Sequence, residues 1–238
     1  MRPRFPRGSS ARTSIALAAA LLAAACGNPN DPSDPLYHEA EGIPELFEPL
    51  TALATPCSFV SGTGILTVTV ADDEVAVLSK RASDSAILEN GAACSTATTS
   101  NLKRINVTGS SGANTVILDF INGVFGKGSS TSAAIVVDFV SGTGDAFKIR
   151  GSNGADSINF GADGVSTNSD NYVDVTVANA DSYLFSLSDG ADVFTAQGGR
   201  GAGLAYSGAV LTVYGGVGDD VSTSVGSKVS SGKNRAIT

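Results

Sequence analysis

Oxygen-bearing side chains recur after spaced glycines in the second half of this chain, and no other pattern in it points so directly to chemistry. The fullest copy is GSNGADSIN, Gly151 to Asn159, with Gly154 three residues after Gly151 and Asp156 two further on. GSSGANTVI, Gly109 to Ile117, keeps both glycines and has Asn114 at the aspartate position; SDGADVF, Ser188 to Phe194, keeps Gly190 and Asp192; GGVGDDVST, Gly215 to Thr223, keeps Gly218 and Asp220. Glycine reaches φ > 0 and lets one turn lie close upon the next, while the aspartate aims a carboxylate at the turn. Two such turns in register would gather carboxylate and carbonyl oxygens, the donor set of a hard cation, which takes six to eight of them.

Positioning those turns requires strands between them. The second glycines, Gly112, Gly154, Gly190 and Gly218, are 42, 36 and 28 residues apart. A tight nonapeptide coil would bring like turns back about every 18 residues, so the longer gaps predict inserted strands. From Cys57 to Thr238 there is no proline, and 25 of the 28 glycines fall there, as expected of continuous β-structure whose strands need every amide donor. Short β-branched runs at 65–70, 74–78, 115–120, 134–140, 172–178, 183–187 and 210–214 read as strands, and no run of ten or more residues has helical spacing. The expected fold is all-β, a parallel β-helix or β-roll-like solenoid with irregular turns. TVILDF and AIVVDFV, nineteen residues apart, look like successive copies of one coil. A β-sandwich is the alternative, since Asn90-Gly91 and Asn122-Gly123 are hairpin-turn dipeptides.

The turns GSNGADSIN and GGVGDDVST resemble the repeats-in-toxin, or hemolysin-type calcium-binding, nonapeptide GGxGxDxUx, and the order of segments over roughly residues 57–223 is similar to that of bacterial surface proteins carrying such repeats. The resemblance implies calcium held by aspartate carboxylates and turn carbonyls outside the cell. Carried over position by position, it names Asp156, Asp192 and Asp220, with Asn114 as an amide in the same place, and the turn glycines Gly151, Gly154, Gly190 and Gly218.

Destination is written at the N-terminus. Arg2, Arg4, Arg7 and Arg12 precede an apolar stretch, Thr13 to Ala25, too short to span a bilayer. Cys26 directly after LLAAA resembles the bacterial lipoprotein cleavage site, which implies a lipidated Cys26, a membrane anchor and, with Gly27 next, display on the cell outer membrane. Removing 1–25 leaves eleven basic against twenty-three acidic residues, a formal charge of −12, which argues against nucleic acid as a partner. Residues 26–56 hold six of the eight prolines among Asp31, Asp34, Glu39, Glu41, Glu45 and Glu48, and read as an extended tether. Within it Ile43 to Leu53 has the length of a short helix, with Pro44 and Pro49 inside it. With Cys26 lipidated, Cys57 and Cys94 are left as an even pair in an oxidising compartment and predict a disulfide.

Catalytic constellations are sparse. The only histidine, His38, lies in the tether, which removes Ser-His-Asp triads and histidine-based zinc sites from 57–227. Asp145, Asp156 and Asp163 are the acids available for a glycosidase-type pair. Lys148 and Arg150, alternate residues ahead of Asp156, are the bases available to a calcium-dependent polysaccharide lyase. The expected domains are 1–25 signal peptide, 26–56 tether, 57–227 β-solenoid and 228–238 disordered tail, and the absence of a closing repeat after Asp220 predicts a shortened relative of a longer repeat protein. The expected role is non-enzymatic, a calcium-stabilised surface lipoprotein that is structural or adhesive, with an extracellular polysaccharide or surface protein as partner. The alternatives are a calcium-dependent polysaccharide-active enzyme and a metal-free structural β-domain.

Overall fold

The computed structural model describes residues 57–199 and 209–223, and the backbone of Ser230–Ser231. The chain divides into two compact units, Met1–Glu41 and Gly42–Thr238, and the described residues belong to the second. The signal peptide, Cys26, the tether and most of 228–238 lie outside the described residues.

The described residues are all-β. One sheet runs, in spatial order, β1 (Cys57–Val60), β2 (Ile65–Thr69), β6 (Arg104–Thr108), β8 (Ile135–Asp138), β12 (Val175–Ala178), β11 (Gly164–Ser166), β10 (Ser157–Gly161), β14 (Val193–Thr195) and β16 (Val221–Thr223). The other runs β17 (Ser230–Ser231), β15 (Val210–Tyr214), β13 (Ser182–Ser186), β9 (Ala146–Arg150), β7 (Thr115–Asp119), β3 (Val75–Lys80), β4 (Ala86–Glu89) and β5 (Ala92–Thr98). Both sheets are open and mixed.

Parallel pairing dominates each sheet and comes from a chain that alternates between the two. In the second sheet β3, β7, β9, β13, β15 and β17 are successive parallel neighbours, with Val75 opposite Thr115, Thr115 opposite Ala146, Ala146 opposite Ser182, Ser182 opposite Val210, and Thr212 opposite Ser230. Beyond the edge strand β1, which pairs antiparallel with β2, the first sheet consists of two parallel runs, β2-β6-β8-β12 and β10-β14-β16. They are joined by β11, which pairs antiparallel with both β10 and β12. The steps along each sheet are uneven because strands are inserted between successive parallel neighbours. The β4–β5 hairpin, turned by Asn90 (φ 48°) and Gly91 (φ 81°), lengthens the first step, and the excursion through β10 and β11 lengthens the step from β8 to β12. Thus the Asn-Gly dipeptide marks an inserted hairpin.

Alternation builds the core. Leu66 and Val68, Ile105 and Val107, and Ile135 and Val137 of the first sheet face Ala76 and Leu78, Val116 and Leu118, and Phe147 and Ile149 of the second in one buried cluster. Toward the C-terminal end aromatic residues fill it: Phe160 lies 4.9 Å from Tyr183 and 5.1 Å from Phe185, and Phe185 lies 5.1 Å from Phe194, between ring centroids. Each buried phenylalanine contributes about 1.5–3 kcal/mol by area. At the other end a Cys57–Cys94 disulfide ties β1 to β5, with Cα atoms 5.5 Å apart. Closing its loop stabilises the domain by about 4 kcal/mol in the chain-entropy model.

TVILDF and AIVVDFV do not occupy equivalent places, because β7 lies in the second sheet and β8 in the first. What they share is a local ending: Asp119 Oδ1 accepts the Ile121 N–H at 3.0 Å, and Asp138 Oδ1 accepts the Val140 N–H at 2.9 Å. Each is a strand closed by its own aspartate turn. Ser230–Ser231, within the stretch expected to be a tail, pairs with β15 as a strand.

Candidate functional site

The aspartate turns fall into two separate stacks. The turns leaving β9, β13 and β15 lie one upon another and carry Asp156, Asp192 and Asp220. The Asp156 N–H donates to Asp192 Oδ1 at 2.8 Å, and the Asp192 N–H donates to Asp220 Oδ1 at 3.1 Å. Each carboxylate therefore caps the backbone of its counterpart in the preceding turn. Asp156 closes its own turn, its Oδ2 accepting the Ser152 N–H at 2.7 Å.

Asn114 belongs to the other stack, between β6 and β7. Its N–H donates to Asp145 Oδ1 at 2.9 Å, and Asp145 N–H in turn donates to Asp181 Oδ2 at 3.0 Å. The Asn114 amide donates to the Ala71 carbonyl at 2.6 Å, while its Oδ1 accepts the Ser110 N–H at 2.7 Å. A carboxylate cannot donate to that carbonyl, so asparagine here is the side chain that satisfies both partners. Further out, Asp72 accepts the Gly112 N–H at 2.9 Å, and this bond with the Ser110 hydroxyl, the larger cause, holds its carboxyl below the usual range.

Glycine is required where turn meets turn. A Cβ at Gly216 (φ 94°) would collide with the Ser188 carbonyl of the preceding turn, and one at Gly215 with the Asp220 carboxylate. Gly154, Gly190 and Gly218 stack in the same way, the Gly154 carbonyl against Gly190 and the Gly190 carbonyl against Gly218. All four turn glycines expected at the site thus lie in the all-carboxylate stack: Gly151, at the head of the Asp156 turn, leaves room for Asp156 Oδ2 and the Leu187 carbonyl.

Electrostatically the two stacks differ. Asp192 is fully buried, and burial, reinforced by the negative charges of Asp156, Asp220 and Asp189, pushes its carboxyl up to about 6. Burial also raises Asp156. Asp192 Oδ2 and Asp220 Oδ2 are buried atoms without a hydrogen-bond partner. In the other stack Asp145, also fully buried, has one such oxygen, Oδ2. Oxygens of this kind suit a hard cation, and calcium at the first stack would draw on Asp192 Oδ2, Asp220 Oδ2 and neighbouring turn carbonyls. Among the described residues no three His, Cys, Asp or Glu side chains cluster to hold a metal. Carbonyls and water would therefore make up most of the coordination.

The acids and bases weighed for catalysis are each engaged elsewhere. Asp145 and Asp156 stand in different stacks, and Asp163 Oδ1 accepts the Gly199 N–H at 2.8 Å. Arg150 and Asp119 lie on neighbouring strands with Nη1 and Oδ2 3.7 Å apart. Burial pushes the guanidinium down and the carboxyl up. Lys148 stands in one cross-strand row between Ile117 and Leu184.

Two structural acids escaped sequence reasoning. Asp181 supports the second stack. Fully buried Asp174 accepts from the Gly128 N–H (2.7 Å), the Thr167 N–H (2.8 Å), Thr167 Oγ1 (3.0 Å) and Asn168 Nδ2 (2.9 Å), organising two inserted loops. Neither follows a paired glycine, so motif spacing carried no signal for them. No protein-family model matches this chain, and no curated protein or solved structure is significantly similar to it.

Proposed function

We propose that this chain is a non-enzymatic, lipid-anchored protein of the outer cell surface, built as a β-solenoid whose all-carboxylate stack binds calcium as a structural ion. The observation that carries the reading is the pair of buried, unpartnered oxygens on consecutive turns, Asp192 Oδ2 and Asp220 Oδ2, the first belonging to a carboxyl that burial and like charge have raised. A divalent cation there would compensate charge that the protein alone leaves unbalanced. The solenoid reading is supported by the alternation of the chain between sheets and by the parallel register steps. The anchor at Cys26, and an adhesive or envelope role toward a polysaccharide or surface protein, rest on the sequence.

The test is a calcium titration of the oxidised protein followed by melting temperature, with magnesium as control and Asp192→Asn beside the natural chain. A saturable, calcium-specific rise that the substitution abolishes is expected, with affinity on the order of 10⁻⁴–10⁻³ M, as for extracellular modules. A flat response in both proteins would sink the metal reading. One observation favours a metal-free structural domain instead: Asp192 and Asp220 each spend an oxygen on a backbone N–H, which by itself accounts for an aspartate in those turns.

A further inference from the structure

Two loops depart from the regular coil and meet around a cavity. Residues 120–134 join β7 to β8, a connection of the length that usually serves a function, and residues 167–174 join β11 to β12. Because β8 and β12 are parallel neighbours with Ile135 opposite Val175, the ends of the two loops lie side by side. Buried Asp174 ties them together, accepting from Gly128 of the first and from Thr167 and Asn168 of the second. Phe125 of the first loop is fixed edge-on against Phe120, with ring centroids 5.2 Å apart. The cavity between the loops measures about 380 Å³, the size of a small-molecule site.

Most polar atoms of its walls are already engaged. Thr167 Oγ1 and Asn168 Nδ2 donate to Asp174, and Asn168 Oδ1 accepts the Asp170 N–H at 2.9 Å. Asp170 Oδ1 accepts the Tyr172 N–H at 3.0 Å and so closes its own turn. Its other oxygen, Oδ2, is buried and has no hydrogen bond; only the Lys127 ammonium faces it, at 3.2 Å. The Lys127 side chain is 73 % exposed, and an ion pair so open to water is weak, so the ammonium is free to lift and admit a third group. Val124 and Phe125 supply the apolar part of the wall.

We propose that this cavity binds a neutral sugar ring. A hydroxyl entering between Lys127 and Asp170 accepts from the ammonium and donates to the carboxylate, so one oxygen makes two charge-assisted hydrogen bonds. A simple anion would meet Asp170 and a simple cation Lys127, and neither would gain from both. The C–H face of the ring suits Val124 and Phe125. With its walls held by Asp174 before any ligand arrives, the site has little ordering left to do on binding. It lies in neither aspartate stack, and it deepens the adhesive reading, on which it rests for the source of the sugar, a polysaccharide outside the cell.

The experiment titrates the full oxidised chain, with calcium present, with methyl glucoside, methyl mannoside and methyl galactoside, and follows amide chemical shifts. At least one glycoside should give saturable shifts confined to 124–127 and 167–170, with Kd on the order of 1 mM. Lys127→Met keeps the stem, and Asp170→Asn keeps an oxygen for the Tyr172 N–H. Each should weaken binding at least fivefold while the amides of β8 and β12 keep their positions, showing that the fold is intact. No shift with any of the three glycosides, or binding that both variants retain, would overturn the proposal. So would tighter binding of glucuronate, glucosamine or leucine, which would make charge rather than hydroxyls the feature recognised. Since calcium is present throughout, failure here leaves the Asp192 reading standing, to be judged by its own titration.

Discussion

The two aspartate stacks use one backbone device with different side chains at its base. In both, a carboxylate accepts the amide of its counterpart one turn earlier. The stack of Asn114, Asp145 and Asp181 begins with an amide, which donates to the Ala71 carbonyl, and it ends on exposed Asp181. The stack of Asp156, Asp192 and Asp220 has acids throughout and places Asp192 among three like charges. The two stacks thus share their backbone capping and differ at one place, where the second has a third acid instead of the side chain that both donates and accepts.

The sharpest way to break that comparison is at the glycines. Gly216→Ala should cost on the order of 4 kcal/mol, because the new Cβ meets backbone in a left-handed conformation. Gly144→Ala, in the Asp145 turn at φ 87° but facing only the Ala113 methyl at 3.2 Å, should cost about 1–2 kcal/mol. Chemical denaturation compares the two, and equal losses would mean that the stacks are not packed differently.

Asn114→Asp should cost about 2–3 kcal/mol at pH 7, leaving the Ala71 carbonyl without its donor and setting a charge beside Asp145. If the acid alone makes a cation site, this variant should gain a calcium response in its melting temperature.

Stability against pH gives the next effect. Because the Asp192 carboxyl is raised to about 6 from an ordinary 3.8, the folded state holds its proton between those values while the unfolded state does not. Stability without calcium should thus fall as pH rises from about 4 to about 6 and level off above, by about 2–3 kcal/mol. Buried Glu89, raised to about 7 by burial and then by Glu74, extends the fall toward neutrality. Asp192→Asn should remove the lower part of the slope, and an unchanged profile would deny Asp192 its part in it.

The smallest effect lies in the turn before Asp145. Val140 sits at φ 61°, where a β-branched residue is strained, so Val140→Asn should stabilise the protein by about 1 kcal/mol in the same denaturation.

Much of the sheet structure was legible because alternation is a local signal: runs such as Ile65 to Val70 and Val210 to Tyr214 became β2 and β15. Strand β10, SINFG, went unread because polar residues break up its apolar positions. The site was legible in part. Glycine spacing found Asp156, Asp192 and Asp220, whose turns need close backbone approach. It also grouped Asn114 with them, since spacing along the chain does not reveal which strands a turn joins. Asp145 and Asp181 were not read as members of a stack because their turns carry different glycine patterns, and the hydrogen bonds that define them span 31 and 36 residues.

The single short strand β11 governs how this domain comes apart. From the C-terminal edge inward, β16 and β14 are held by parallel pairs alone, so each can peel away at the cost of its nearest neighbour. Past β10 the sheet depends on β11, which meets β12 at a single register pair, Val165 opposite Val175. That seam is where the first sheet should part, the C-terminal strands leaving together and the disulfide-bound half remaining to template their return.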